Sequence, residues 1–174
     1  ERDTQNACLV LTGTDVTLSD MDAPTIQMVR QREFCATAEV TVSPANVQKD
    51  GRLGLAAFYS NDYHYEIYYT EKDGSGRICL SRRIHDLEAV TAEHEVSEVS
   101  EKEALRLRII ADKESYRFYY SLGAKAPYVY LGCGDTAGLC TEITRTMTFT
   151  GVYFGMFAER ATGAFREFNV TYEE

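Results

Sequence analysis

The sequence has no tryptophan, no surplus of basic charge, and no apolar run near the ~20 residues needed to span a bilayer. Each absence excludes something. Without tryptophan, the large flat ring best suited to stacking on a sugar is missing, although 12 tyrosines and 8 phenylalanines supply smaller rings. With a formal net charge of −9, a nucleic-acid backbone or an anionic membrane would be repelled rather than bound. No basic stretch followed by an apolar segment opens the chain, so its start does not read as a secretory leader. A chain of 174 residues that opens on Glu1 rather than methionine is expected to be one domain, processed or excised from a longer protein.

Metal and thiol chemistry are also poorly supported. Cys8, Cys35, Cys79, Cys133 and Cys140 are odd in number and contain no C-x-x-C pair. They read as small buried hydrophobes in a reducing, cytoplasmic setting; one disulfide plus free thiols is the competing reading. His64, His85 and His94 lack zinc-ligand spacing, and neither a metal nor another cofactor is expected. Asp20 and Asp22 lack EF-hand spacing and are explained by a turn ending at Pro24. The sequon at Asn169 lies in an alternating run and is taken as chance.

What is present is period-two alternation. It runs over Glu33–Ser43, Arg52–Ser60, Asp62–Thr70, Arg77–Ile84, Ala104–Ala111, Ser115–Ser121, Tyr128–Gly132, Phe149–Ala158 and Ala164–Tyr172. Shorter candidates are Ala7–Gly13, Thr25–Gln31, Ala89–Val96 and Leu139–Thr144. Turn signals separate them, among them Asp50-Gly51, Asn61-Asp62, Asp73-Gly74, Asp112-Lys113-Glu114, Leu122-Gly123 and Thr162-Gly163. About a dozen short strands at this spacing imply an all-β domain of two stacked antiparallel sheets. Only Glu98–Ala104 hints at a helical turn.

Alternation also assigns faces. Leu105, Leu107 and Ile109, then Tyr116, Phe118 and Tyr120, then Tyr63, Tyr65, Ile67 and Tyr69 form the expected core sides. The opposite sides collect His64, Glu66, Tyr68, Arg106, Arg108, Arg117 and Tyr119, a polar and aromatic set rich in arginine for so acidic a chain. Arginine and tyrosine favour interfaces and sugar contacts, which makes this set a candidate interface or sugar-contact face. A solvated sheet face with cross-strand pairs, such as Glu66 to an arginine, explains it equally simply.

No catalytic apparatus is complete. A retaining glycosidase needs two carboxyl groups ~5 Å apart, and sandwich glycosidases carry them in a Glu-x-Asp-x-x-Glu type run that this sequence lacks. The acidic run Glu93, Glu95, Glu98, Glu101, Glu103 has few apolar neighbours to desolvate it and reads as a solvated edge or loop. There is no G-x-S-x-G nucleophile motif.

An ordered series of motifs resembles the C-terminal β-sandwich of family 43 glycoside hydrolases, which include β-xylosidases and α-L-arabinofuranosidases. The series opens with Leu18-Ser-Asp-Met-Asp-Ala-Pro24, Met28-Val-Arg-Gln-Arg32 and Phe34-Cys-Ala-Thr-Ala38. Next come Gly54-Leu-Ala-Ala-Phe-Tyr59, Asn61-Asp-Tyr-His-Tyr65 and Tyr116-Arg-Phe-Tyr-Tyr-Ser121. It ends with Leu139-Cys-Thr-Glu142, Phe149-Thr-Gly151 and Gly155-Met156. The resemblance implies a concanavalin A-like jelly roll appended to a five-bladed catalytic propeller acting on xylo- or arabino-oligosaccharides. It implies a non-catalytic accessory role: packing on the propeller, supporting homo-oligomer assembly, and closing the active-site pocket with a loop aromatic. By motif position that aromatic is Phe149, which otherwise reads as the first core residue of its strand. The chain departs from the family pattern at Ala164-Phe-Arg-Glu-Phe168, at the short loop Glu159–Gly163 and at Ala124-Lys-Ala-Pro127. Those departures bear on loop contacts more than on the fold. The alternative implied function is a free-standing carbohydrate-binding module or lectin using the tyrosine and arginine face.

Overall fold

Strands that alternate apolar and polar residues must bury one face each, and two sheets stacked face to face do so with the fewest exposed apolar edges. The computed structural model describes residues 2–3, 8–96, 99, 104–144 and 150–173. Its strands are β1 (Arg2–Asp3), β2 (Cys8–Thr12), β3 (Thr25–Arg30), β4 (Ala36–Ser60), β5 (Tyr63–Lys72), β6 (Ser75–Ile84) and β7 (Leu87–Val96). They continue with β8 (Leu105–Ala111), β9 (Ser115–Leu122), β10 (Val129–Asp135) and β11 (Tyr153–Tyr172). A 3₁₀ turn (Thr136–Leu139) and one helical turn, α1 (Thr141–Thr144), join β10 towards β11.

Strands β4 and β11 belong to both layers. They pair antiparallel from Tyr153↔Phe58 to Glu159↔Arg52, and again from Ala161↔Val47 to Tyr172↔Ala36. In the first stretch the ribbon continues into β5, β6 and β7 on one side and β3 on the other. In the second it continues into β8, β9 and β10 on one side and β2 on the other. The ribbon thus folds over near Asp50 and Arg160, and its two halves face each other as layer I and layer II. Between them lie Leu53, Leu55, Ile67, Ile78 and Leu80 from layer I, against Val40, Val42, Leu107, Ile109 and Phe118 from layer II. The core sides expected on β5, β8 and β9 are all buried.

At the fold-over, Gln48, Lys49, Asp50 and Gly51 stand opposite the single residue Arg160. Such a bulge sharpens twist and bend. It puts Asp50 (φ 59°) and Arg160 (φ 46°) in the left-handed region. Gly51 is required there by close approach: a Cβ would come within 2.3 Å of the Arg160 carbonyl oxygen.

Several sequence expectations change. Glu33–Ser43 and Arg52–Ser60 are not separate strands but parts of one, because the bulge at Asp50-Gly51 bends the chain without ending its pairing. Thr162-Gly163 likewise lies inside β11. Leu139–Thr144 is a helical connection rather than a strand, crossing the end of the sandwich, and among the described residues it pairs with no strand. The helical hint at Glu98–Ala104 falls mostly outside the described residues. Gly51→Ala is expected to lower unfolding free energy by about 1–3 kcal/mol through overpacking, seen as a lower urea midpoint at unchanged slope.

Candidate functional site

The seven residues expected on one polar face do not come together. His64, Glu66 and Tyr68 sit on β5, whereas Arg106 and Arg108 sit on β8, and Arg117 and Tyr119 on β9. All point away from the core, as alternation demands. Because β5 and β8 lie in different layers, the two groups occupy opposite outer surfaces of the sandwich.

On layer II the arginines find partners within their own face. Arg108 pairs with Glu39, which also accepts the Tyr128 hydroxyl at 3.0 Å. The Arg108 guanidinium lies 3.6 Å from the Tyr128 ring centre and that of Arg106 lies 4.7 Å from it. Arg106 donates to Ser121 Oγ and to the Ala126 carbonyl, and Arg117 pairs with Asp112 at 2.8 Å. Tyr119 packs edge-on against Tyr130. These contacts are the cross-strand pairs of a solvated sheet face.

On layer I part of the outer face is covered. The segment 13–24 crosses it as a strap, with Leu18 fully buried against Ala56, Tyr68, Cys79 and Phe157. Beneath it lies a largely buried ionic cluster. Arg52 Nη1 stands 3.1 Å from Glu66 Oε2, and Arg52 Nε donates to Glu159 Oε2 at 2.5 Å. His64 Nε2 approaches Glu66 Oε1 at 3.0 Å, an ion-pair contact rather than a well-aligned hydrogen bond, and its Nδ1 meets the Ser60 carbonyl at 3.0 Å. The strap is tied in directly: Leu18 N donates to Glu159 Oε1 at 2.7 Å, and Ser19 Oγ donates to Glu88 Oε2 at 3.0 Å. Glu88 in turn lies 3.5 Å from Arg52 and 3.2 Å from Arg83.

Burial alone would raise both carboxyls. At Glu66 the charges of Arg52 and His64 more than offset it and hold the group below its ordinary value. At Glu159 burial is joined by repulsion from Glu66, and the group is raised despite Arg52 and the Leu18 N–H. His64 is raised because its contact with Glu66 outweighs desolvation. Two carboxyls displaced in opposite directions are the pattern of an acid and base pair. Yet Glu66 is 0% and Glu159 1% exposed, so no substrate reaches either. The arrangement clamps the strap to the sheet. Burial pushes the nearby Cys79 thiol up to about 11, which leaves it protonated and unreactive.

Sequence reasoning missed Arg52 and Glu159. Arg52 shares the parity of Ala56 and Phe58, and Glu159 is an acid at the end of an apolar run. Their convergence on Glu66 needs the register Arg52↔Glu159 and Ala56↔Glu66. Phe149 lies outside the described residues. All five cysteines are unpaired.

Residues 2–171 match the model of the β-xylosidase C-terminal concanavalin A-like domain. The chain belongs to this family. Within it, the domain is 27% identical over 150 residues to the "Non-reducing end alpha-L-arabinofuranosidase BoGH43B" of Bacteroides ovatus, covering 86% of this chain and 27% of that protein. In fold it matches the Bacteroides ovatus protein "Xyloglucan PUL GH43B" (TM-score 0.84, 24% identity, 95% of this chain, 33% of that one). It also matches a xylan beta-1,4-xylosidase of Bacillus halodurans (TM-score 0.85, 16% identity, 94% of this chain, 32% of that one). The xylosidase-type C-terminal domain therefore spans about a third or less of these relatives, in which it is part of a larger chain.

Arg52→Met should destabilise this domain by about 3–5 kcal/mol, because it leaves Glu66 and Glu159 buried side by side without their shared cation; chemical denaturation measures it. The pH dependence has a separable alkaline limb. His64 is raised, so its contribution is complete below its ordinary 6.5 and is lost as pH rises through the folded value. Glu66 is lowered and Glu159 raised from 4.5, so their contributions run in opposite directions with pH and partly offset in the acid range. A fall in thermal midpoint above pH 6.5 that His64→Gln abolishes is the expected outcome.

Proposed function

We propose that this chain is the non-catalytic accessory domain of a β-xylosidase-like glycoside hydrolase. In this reading it packs on a catalytic propeller and helps close the active-site pocket on a xylo- or arabino-oligosaccharide. The observation that carries it is the distribution of exposed apolar side chains. The turns β4–β5, β6–β7 and β8–β9 and the connection after β10 all leave the end of the sandwich opposite the fold-over. At or beside that end lie Met21 (97% exposed), Leu87 (73%), Phe34 (61%) and Ile143 (46%). Asp20 is tied to Asn61 there, and Tyr59 meets Thr141. Ile143 leads directly into the segment that carries Phe149. Isolated exposed apolar residues such as Val90, Leu122, Val129 and Tyr130 occur elsewhere and need no explanation. The three most exposed among the described residues, Met21, Leu87 and Phe34, all stand at this end, which suits a protein interface.

The sealing of Glu66 and Glu159 supports the non-catalytic half of the reading, since those groups are clamped beneath the strap. In the full-length two-domain enzyme, Phe149→Ala is expected to lower kcat/KM on nitrophenyl xyloside or arabinofuranoside by about tenfold. Unchanged kinetics would remove Phe149 from the pocket.

A further inference from the structure

The strap covers only part of the outer face of layer I. Beside it is an open groove of about 690 Å³, running from the fold-over to the β5–β6 turn. We propose that this groove is a binding site for a neutral oligosaccharide chain, read through hydrogen bonds to its hydroxyls.

Two corners of identical sequence form its mouth. Lys49-Asp50-Gly51 lies at the fold-over and Lys72-Asp73-Gly74 at the β5–β6 turn. In both, the aspartate adopts a left-handed conformation, with φ of 59° at Asp50 and 55° at Asp73. All four charged side chains are exposed. Among the described residues none of them takes part in a hydrogen bond or ion pair, whereas the arginines beside them do. Each corner therefore offers one ammonium donor beside one carboxylate acceptor.

Equal and opposite charges at both corners give little preference to an anion. A sugar hydroxyl both donates and accepts, and neighbouring hydroxyls match paired donors and acceptors. The floor is set in advance. Arg77 is paired with Glu93, and Arg52, 15% exposed, is held from beneath by Glu66 and Glu159. A ligand thus meets donors whose ordering is already complete. Tyr68 lies below the Arg52 guanidinium, 5.3 Å from it, and is only 6% exposed, so it offers no stacking platform. Recognition without stacking implies affinity in the millimolar range, and the volume falls within the ~300–1,000 Å³ of small-ligand sites.

The choice of pentose chains as probes rests on the proposed hydrolase role. The two readings fail separately, because pocket closure is read from kinetics of the two-domain enzyme and groove binding from this chain alone. The test is a titration of the 174-residue chain with xylotetraose, arabinotetraose and inorganic phosphate, followed by amide chemical shifts. Expected is saturable binding of a tetrasaccharide, with shifts centred on Arg52, Tyr68, Lys72 and Arg77. Asp50→Asn with Asp73→Asn, which keeps residues tolerant of left-handed backbone, should weaken it at least about fivefold. Lys49→Gln with Lys72→Gln should do the same. Binding of neither sugar up to about 20 mM, binding unaffected by both double variants, or tighter binding of phosphate would overturn the assignment.

Discussion

A single ribbon that serves both layers is the constraint on which this domain depends. Because β4 and β11 continue from one sheet into the other, the two sheets cannot slide or separate without breaking the longest ladder in the molecule. The bend must absorb unequal path lengths, and it does so by setting four residues of β4 against one of β11. That geometry requires a glycine at position 51 and left-handed backbone at Asp50 and Arg160. It also directs charged side chains from both strands to the rim of the layer I groove. The opposite end is left to the turns and to the connection into β11, where exposed apolar residues gather.

The second determinant is electrostatic. Burying a carboxylate is costly by several kcal/mol unless it is paired. Here Arg52 lies between two buried carboxyls, and His64 Nε2 approaches one of them, Glu66, from the other side. With these partners, Glu66 stays charged inside the protein and Glu159 accepts the backbone N–H of Leu18. The strap is thereby held by a buried polar contact as well as by the packing of Leu18. What resembles a pair of catalytic carboxylates is a structural clamp, because residues 13–24 shut solvent out.

These two features divide the outer surface of layer I between a covered part and an open one, and they account for the position of the groove beside the strap. Among the described residues, layer II shows no such division. On its outer face Arg106, Arg108 and Arg117 are held by Glu39, Asp112, Ser121 and the Ala126 carbonyl, Tyr119 packs on Tyr130, and Tyr128 packs on guanidinium groups.

Alternation made the all-β class and the core sides of β5, β8 and β9 legible from residues alone, because strand parity and local turn chemistry are written in neighbouring positions; the family was legible through the ordered series of motifs. The same parity identified His64, Glu66, Arg106 and Arg108 as pointing away from the core. It could not say that they point in opposite directions, since parity is defined within a strand and carries no information about which layer that strand joins. The continuation of β4 through Asp50-Gly51 was hidden for a related reason: a bulge and a hairpin turn use the same residues. Arg52, Glu66 and Glu159 lie far apart in the chain, and their meeting under Leu18 follows from long-range register. That register is set by packing across the whole sandwich, so the clamp and the groove beside it emerge at the level of the assembled layers.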